Sequence, residues 1–244
     1  MNDNVSQRTV WISKEAHSRG LSDPHISRPW LLAKEIAQHL ELDDTIKDEA
    51  DFFADRLLDK LESALMYYQL ITDDDFESRN TSQKRTIYEG LYSNLWSFYK
   101  GRMQNYLKIM GWNLDFFFCT EKSFEKNAKK FIDSNKQHEG LVKLARSQRK
   151  AWQANFGLSR NVAEHSGDYR CGVDIYENEE DAKRLFAQVC WTAETLIAYC
   201  GSYKMAEEWN LIDTDAKSTV FDSDKRYVIE HAVNTMRRES RADG

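Results

Sequence analysis

From residue 44 to 70 the apolar positions Ile46, Ala50, Phe53, Leu57, Leu61 and Leu65 recur at steps of three and four, the period of an amphipathic helix. A second such stretch covers Thr86 to Met110 through Ile87, Leu91, Leu95, Phe98, Met103, Tyr106 and Met110, and Gly111 stops it. Phe124, Ala128 and Phe131 predict a shorter helix over about 120–132. Leu141, Leu144, Ala145, Trp152 and Phe156 predict another over about 138–156, bent or ended by Gly157. Helix resumes near Asn178 with Ala182, Leu185, Val189, Leu196 and Tyr199, then a shorter piece through Met205 and Trp209, and a last helix from about Asp224 to Arg238.

The segments between these stripes read as follows. Residues 1–27 lack a sustained apolar period and predict a polar tail or arm; Pro29 suits a first helical turn, followed by Trp30, Leu31, Leu32, Ile36 and Leu40. Thr72 to Lys84 is a polar connector. Tyr169 to Tyr176 alone has an alternating, β-favouring pattern, enough for a short hairpin or an extended loop near 169–176 and too little for a sheet. The expected fold is therefore all-α, a multi-helix bundle forming one domain over 28–244. Only two prolines and ten glycines punctuate the 244 residues, which argues the same way against a many-turned β fold.

Composition narrows the chemistry. The longest apolar runs are a few residues, such as Phe116-Phe117-Phe118-Cys119, far short of the roughly 20 residues that span a bilayer, and the polar start Met1 to Val10 lacks the features of a secretory signal. These features predict a cytoplasmic protein. The four cysteines, Cys119, Cys171, Cys190 and Cys200, form no Cys-x-x-Cys pair and read as reduced thiols. No zinc, di-iron or EF-hand spacing, no phosphate-cradling glycine loop and no Gly-x-Ser-x-Gly elbow occurs, so neither a bound metal nor a cofactor is expected.

The formal net charge of −6 means that any nucleic-acid contact must come from a local patch. One segment supplies it: Leu141 to Ala163 carries five cations, Lys143, Arg146, Arg149, Lys150 and Arg160, and no acid, with Trp152 and Phe156 interleaved. These residues read either as an RNA-binding face or as a solvated cationic face over core aromatics. Directly after the helix comes Arg160-Asn161-Val162-Ala163-Glu164-His165. Histidine exchanges a proton near neutral pH, and arginine holds a phosphate and the charge that grows on it during in-line attack. The pair suffices for metal-free RNA cleavage, in which the substrate brings its own 2′-hydroxyl nucleophile. Five steps on a regular helix leave the two side chains about 140° apart. They converge if Ser159 caps a new helix that holds Arg160 in its first turn, or if they act across a dimer seam.

An Arg followed by Asn, four to six residues before a His and after an amphipathic helix, resembles the HEPN superfamily, over roughly residues 115–200 of this chain. The resemblance implies a helical bundle, commonly a homodimer with two motifs facing each other across a cleft. It also implies metal-independent endoribonuclease activity of the kind found in toxin, RNA-processing and antiviral defence systems, where an antitoxin or other partner protein is expected. Carried onto this chain, Arg160 and His165 are catalytic, Asn161 organises the site, and Glu164 supports it. A subtype with Tyr two residues after the His is not matched, because Gly167 stands there. Two further Arg/His spacings occur. Arg19 to His25 contains Pro24 and lies in the tail; Arg226 to His231 lacks the Asn and follows Asp222 and Asp224, a poor setting for phosphate. The alternative reading is a non-catalytic HEPN-like module that binds a partner protein or a nucleotide.

Overall fold

The computed structural model describes residues 43–153 and 179–208, together with positions 29, 33, 34, 36, 37 and 156. Every regular element among the described residues is helical, as the apolar periods predict. The tail 1–27, the segment 169–176 and the last helix over 224–238 lie outside the described residues.

Helix α1 (Asp44–Thr72) starts where the Asp43 carboxylate accepts the Thr45 backbone N–H at 2.9 Å. Its stripe Ala50, Ala54, Leu57, Leu58, Leu61, Ala64, Leu65 and Tyr68 is buried. Helix α2 (Thr81–Trp96) opens five residues before the predicted start. The reason is a capping box: Asn80 accepts from the Gln83 backbone N–H and the Gln83 side chain accepts from the Asn80 N–H, each at 3.0 Å. The same helix passes through a π-helical turn, Ser97–Met103, into α3 (Gln104–Ile109), and ends where Gly111 takes φ +84°, a value suited to glycine.

Three further helices follow: the short α4 (Asp115–Phe118), α5 (Glu121–Ser134) and α6 (Glu139–Gln148). Helix α6 runs into a second π-helical turn, Arg149–Gln153. Helix α7 (Glu179–Glu208) is one continuous element, where the sequence predicts two.

Helix α1 lies along α2, the first π turn and α3, and α7 packs on α1 and on that turn. Around Pro29 and Ile36 the backbone is helical too, and the Tyr106 hydroxyl donates to the Ala33 carbonyl at 2.7 Å to hold that segment. Lys34, 2% exposed, reaches Asp51 at 2.7 Å and Asp55 at 3.0 Å on α1. Aromatics dominate the core, among them Tyr68 against Phe186 and Tyr99 between Phe118 and Trp152. Among the described residues, no helix is long and apolar enough to cross a membrane.

Candidate functional site

The helix that leads to the candidate motif is fixed from below by apolar and polar contacts. Leu141, Val142, Ala145, Trp152 and Phe156 are buried, and Phe156 sits 5.1 Å from Trp96, 5.7 Å from Trp152 and 6.2 Å from Tyr92 between ring centroids. The second π turn widens the helix so that Gln148, Arg149, Trp152 and Gln153 all face inward. The Gln148 side-chain oxygen accepts from the Trp152 indole N–H at 2.5 Å and lies 3.4 Å from the Thr192 hydroxyl on α7. The Gln153 amide donates to the Tyr99 hydroxyl, which joins the two π turns. Burial pushes the Tyr99 hydroxyl pKa up, against the lowering effect of the Arg149 charge and of the Gln153 hydrogen bond.

The four cations of the predicted RNA-binding face differ in placement. Lys143 is exposed and lies 3.5 Å from Glu139 on its own helix. Lys150 is exposed and forms no ion pair with a described residue. Arg146 makes two bonds to Glu125, at 3.1 and 2.8 Å, a fork that raises its own pKa and holds the Glu125 carboxyl below its ordinary value. Arg149 is 7% exposed: it bonds Glu121 at 2.9 Å, donates to the Phe116 and Cys119 carbonyls at 3.3 and 2.5 Å, and lies 4.4 Å above the Phe124 ring. Two of the four cations therefore clamp α6 onto α5. Residues 141–163 contain no acid, yet packing brings Glu121 and Glu125 to them from α5.

Arg160, Asn161, Glu164 and His165 lie outside the described residues, as do Arg19, His25, Arg226, His231 and Cys171. Among the described residues the histidine is His138, and it is a core group. It is 3% exposed, its Nδ1 lies 2.6 Å from the Tyr199 hydroxyl, and the rings of Tyr203 and Trp112 stand 4.4 and 5.0 Å away. Sequence reading missed this aromatic box, because Trp112, His138 and Tyr199 come from three separate elements with no local pattern to link them.

Cys119, Cys190 and Cys200 are free thiols, and burial raises the last two well above their ordinary pKa. Among the described residues no group of three or more His, Cys, Asp or Glu side chains is placed to hold a metal ion. Comparison of the chain with protein-family models, curated proteins and solved structures finds no match.

Proposed function

We propose that the chain is a HEPN-like, metal-independent endoribonuclease in which Arg160 and His165 act on one phosphodiester of an RNA strand. The observation that carries this reading is the hexapeptide Arg160 to His165, beginning four residues after the buried ring of Phe156 and following, in sequence, an amphipathic helix in a chain whose described elements are all helical. The 2′-oxygen attacks phosphorus while its proton passes to a general base. Arg160 neutralises the charge on the pentavalent phosphorane, the bond from phosphorus to the 5′-oxygen breaks, and that oxygen leaves with a proton. His165 serves one of these two proton transfers, and a second motif in a homodimer can serve the other. The products are a 2′,3′-cyclic phosphate and a 5′-hydroxyl. Asn161 and Glu164 organise the pair, and Lys143 and Lys150 supply phosphate contacts that fall with added salt.

Such an enzyme cuts single-stranded RNA in EDTA and leaves ends that a ligase specific for 2′,3′-cyclic phosphate accepts. Ends bearing a 3′-hydroxyl and a 5′-phosphate would contradict the mechanism. One observation favours the second reading, a non-catalytic module for a partner protein or a nucleotide: Arg146 and Arg149 are engaged by Glu125 and Glu121 and so are not free for phosphate. On that reading Arg160→Ala lowers the melting temperature and no RNA is cut by the parent chain.

A further inference from the structure

Apart from the 160–165 motif, a cleft of about 250 Å3 opens between the chain around α4 and the C-terminal half of α5. Helix α5 lends it Asn127, Lys130, Phe131 and Ser134, which share one face because they are spaced three, four and seven residues from the first. Asn113 and Asp115 also line it, and the ring of Phe116 lies 4.8 Å from that of Phe131.

The polar groups of the cleft divide into two sets. Asp115 accepts from Lys108 at 2.9 Å and from the Gln104 amide at 2.8 Å, so its charge is already matched. The Asn113 side-chain oxygen accepts the Asp115 backbone N–H at 3.3 Å, and the Asn135 amide donates to the Phe131 carbonyl at 3.0 Å. Among the described residues, that leaves the Asn113 amide nitrogen and the Asn135 side-chain oxygen uncommitted. Asn127, Lys130 and Ser134 make no side-chain hydrogen bond or ion pair with any described residue. Solvated single side chains are ordinary. Here they converge on one cavity, beside a half-buried phenyl ring and with one positive charge, that of Lys130, which no described residue pairs.

We propose that this cleft binds a single nucleotide unit, its base held by Phe131 and the carboxamides of Asn113 and Asn127 and its phosphate by Lys130. The Asn127 carboxamide presents a donor and an acceptor side by side, which matches the edge of a base, and Asn113 adds the N–H of an amide whose oxygen is held by the Asp115 backbone. A partly exposed aromatic ring offers the surface on which unpaired bases rest. An ammonium takes a phosphate as a point charge. The volume of about 250 Å3 lies a little below the roughly 300 Å3 at which drug-sized sites begin, a size of the order of one nucleotide unit. The proposal stands on residues 113–135 and does not depend on the nuclease reading.

The unit has two sources, a free nucleotide or a nucleotide within an RNA strand. Calorimetric titration of the full chain carrying His165→Ala, in EDTA, tests both without the complication of cleavage. The probes are AMP, GMP, CMP, UMP, inorganic phosphate and a short single-stranded oligoribonucleotide. At least one monophosphate is expected to saturate a single site and to bind more tightly than phosphate alone. Lys130→Ala and Asn127→Ala, both at accessible positions, are each expected to weaken binding by about tenfold or more with the melting temperature unchanged. Equal affinity for monophosphate and oligonucleotide identifies the free nucleotide; a tighter oligonucleotide with the same sensitivity to both variants identifies the strand. No saturable binding of any monophosphate or of the oligonucleotide, binding indifferent to both variants, or phosphate alone binding as well as the nucleotides overturns the proposal.

Discussion

Arg149 on the second π turn meets Glu121 at the start of α5 at 2.9 Å, across 28 residues of sequence, with the Phe124 ring beneath its guanidinium. The arginine side chain is 9% exposed and the glutamate 73%, so the two ends of this pair are unequal. Removing Arg149 strips two carbonyls and a ring of their partner inside the protein, whereas removing the Glu121 charge alters a solvated group. Arg149→Ala is expected to destabilise the fold by about 2–3 kcal/mol, and Glu121→Gln by less than about 1 kcal/mol. Arg149→Lys is expected to recover little, since an ammonium lacks the fork that reaches both carbonyls and the carboxylate. Urea midpoints of the three variants check the order; equal losses for Arg149→Ala and Glu121→Gln would count against the clamp.

Gly201 on α7 lies against the helical segment around Ile36. A Cβ there would come 2.1 Å from the Ile36 Cδ1 and within 2.8 Å of two further Ile36 carbons. Alanine in place of glycine favours a helix by up to about 1 kcal/mol, but overpacking a tight core costs about 1–3 kcal/mol. Gly201→Ala is therefore expected to lower the thermal midpoint, and Ile36→Ala in the same chain to recover part of the loss. A Gly201→Ala protein as stable as the parent would show that the contact is loose.

Asp115 gives the chain a definite pH response. A hydrogen bond from Lys108, aided by one from Gln104 and opposed by burial, holds its carboxyl below the ordinary value of 3.8. Because the folded value is depressed, the stabilisation is complete above the ordinary value and is lost as pH falls through the folded one. Asp115→Asn is expected to lose less stability than the parent on acidification, with a difference under about 1 kcal/mol because both partners are about half exposed. Stability curves from neutral to acid pH check the sign; a steeper fall in the variant is the contrary result.

Much of this fold was legible in the apolar period. Ala50, Leu57, Leu61 and Leu65 of α1, and Ala182, Val189, Leu196 and Tyr199 of α7, are buried as their spacing predicts, while Ile46 is 40% exposed near the start of α1. The first π turn also left a trace: Phe98 to Met103 is a step of five among steps of three and four, and both residues are buried within Ser97–Met103. The break expected between Tyr199 and Met205 does not occur: α7 runs on to Glu208, and Gly201 within it lies against Ile36. At the candidate site, Arg149 stands four residues after Ala145 and three before Trp152, on the buried stripe, so its period marked it as inward while its charge suggested a surface role. A charge count along one segment could not register Glu121 and Glu125, which only packing brings close. The cleft on α5 left no sequence signal either, since Asn, Lys and Ser at helical spacing also describe an ordinary solvated face.

The central claim is that Arg160 and His165 perform chemistry on RNA. Its most direct measurement is the single-turnover cleavage rate of a labelled single-stranded RNA in EDTA, for the parent chain and for Arg160→Ala and His165→Ala, each first confirmed to melt at the parent's temperature. Cleavage by the parent and a loss of about a hundredfold or more in each variant is the expected result. Cleavage at the parent rate by both variants, or none by the parent, contradicts it.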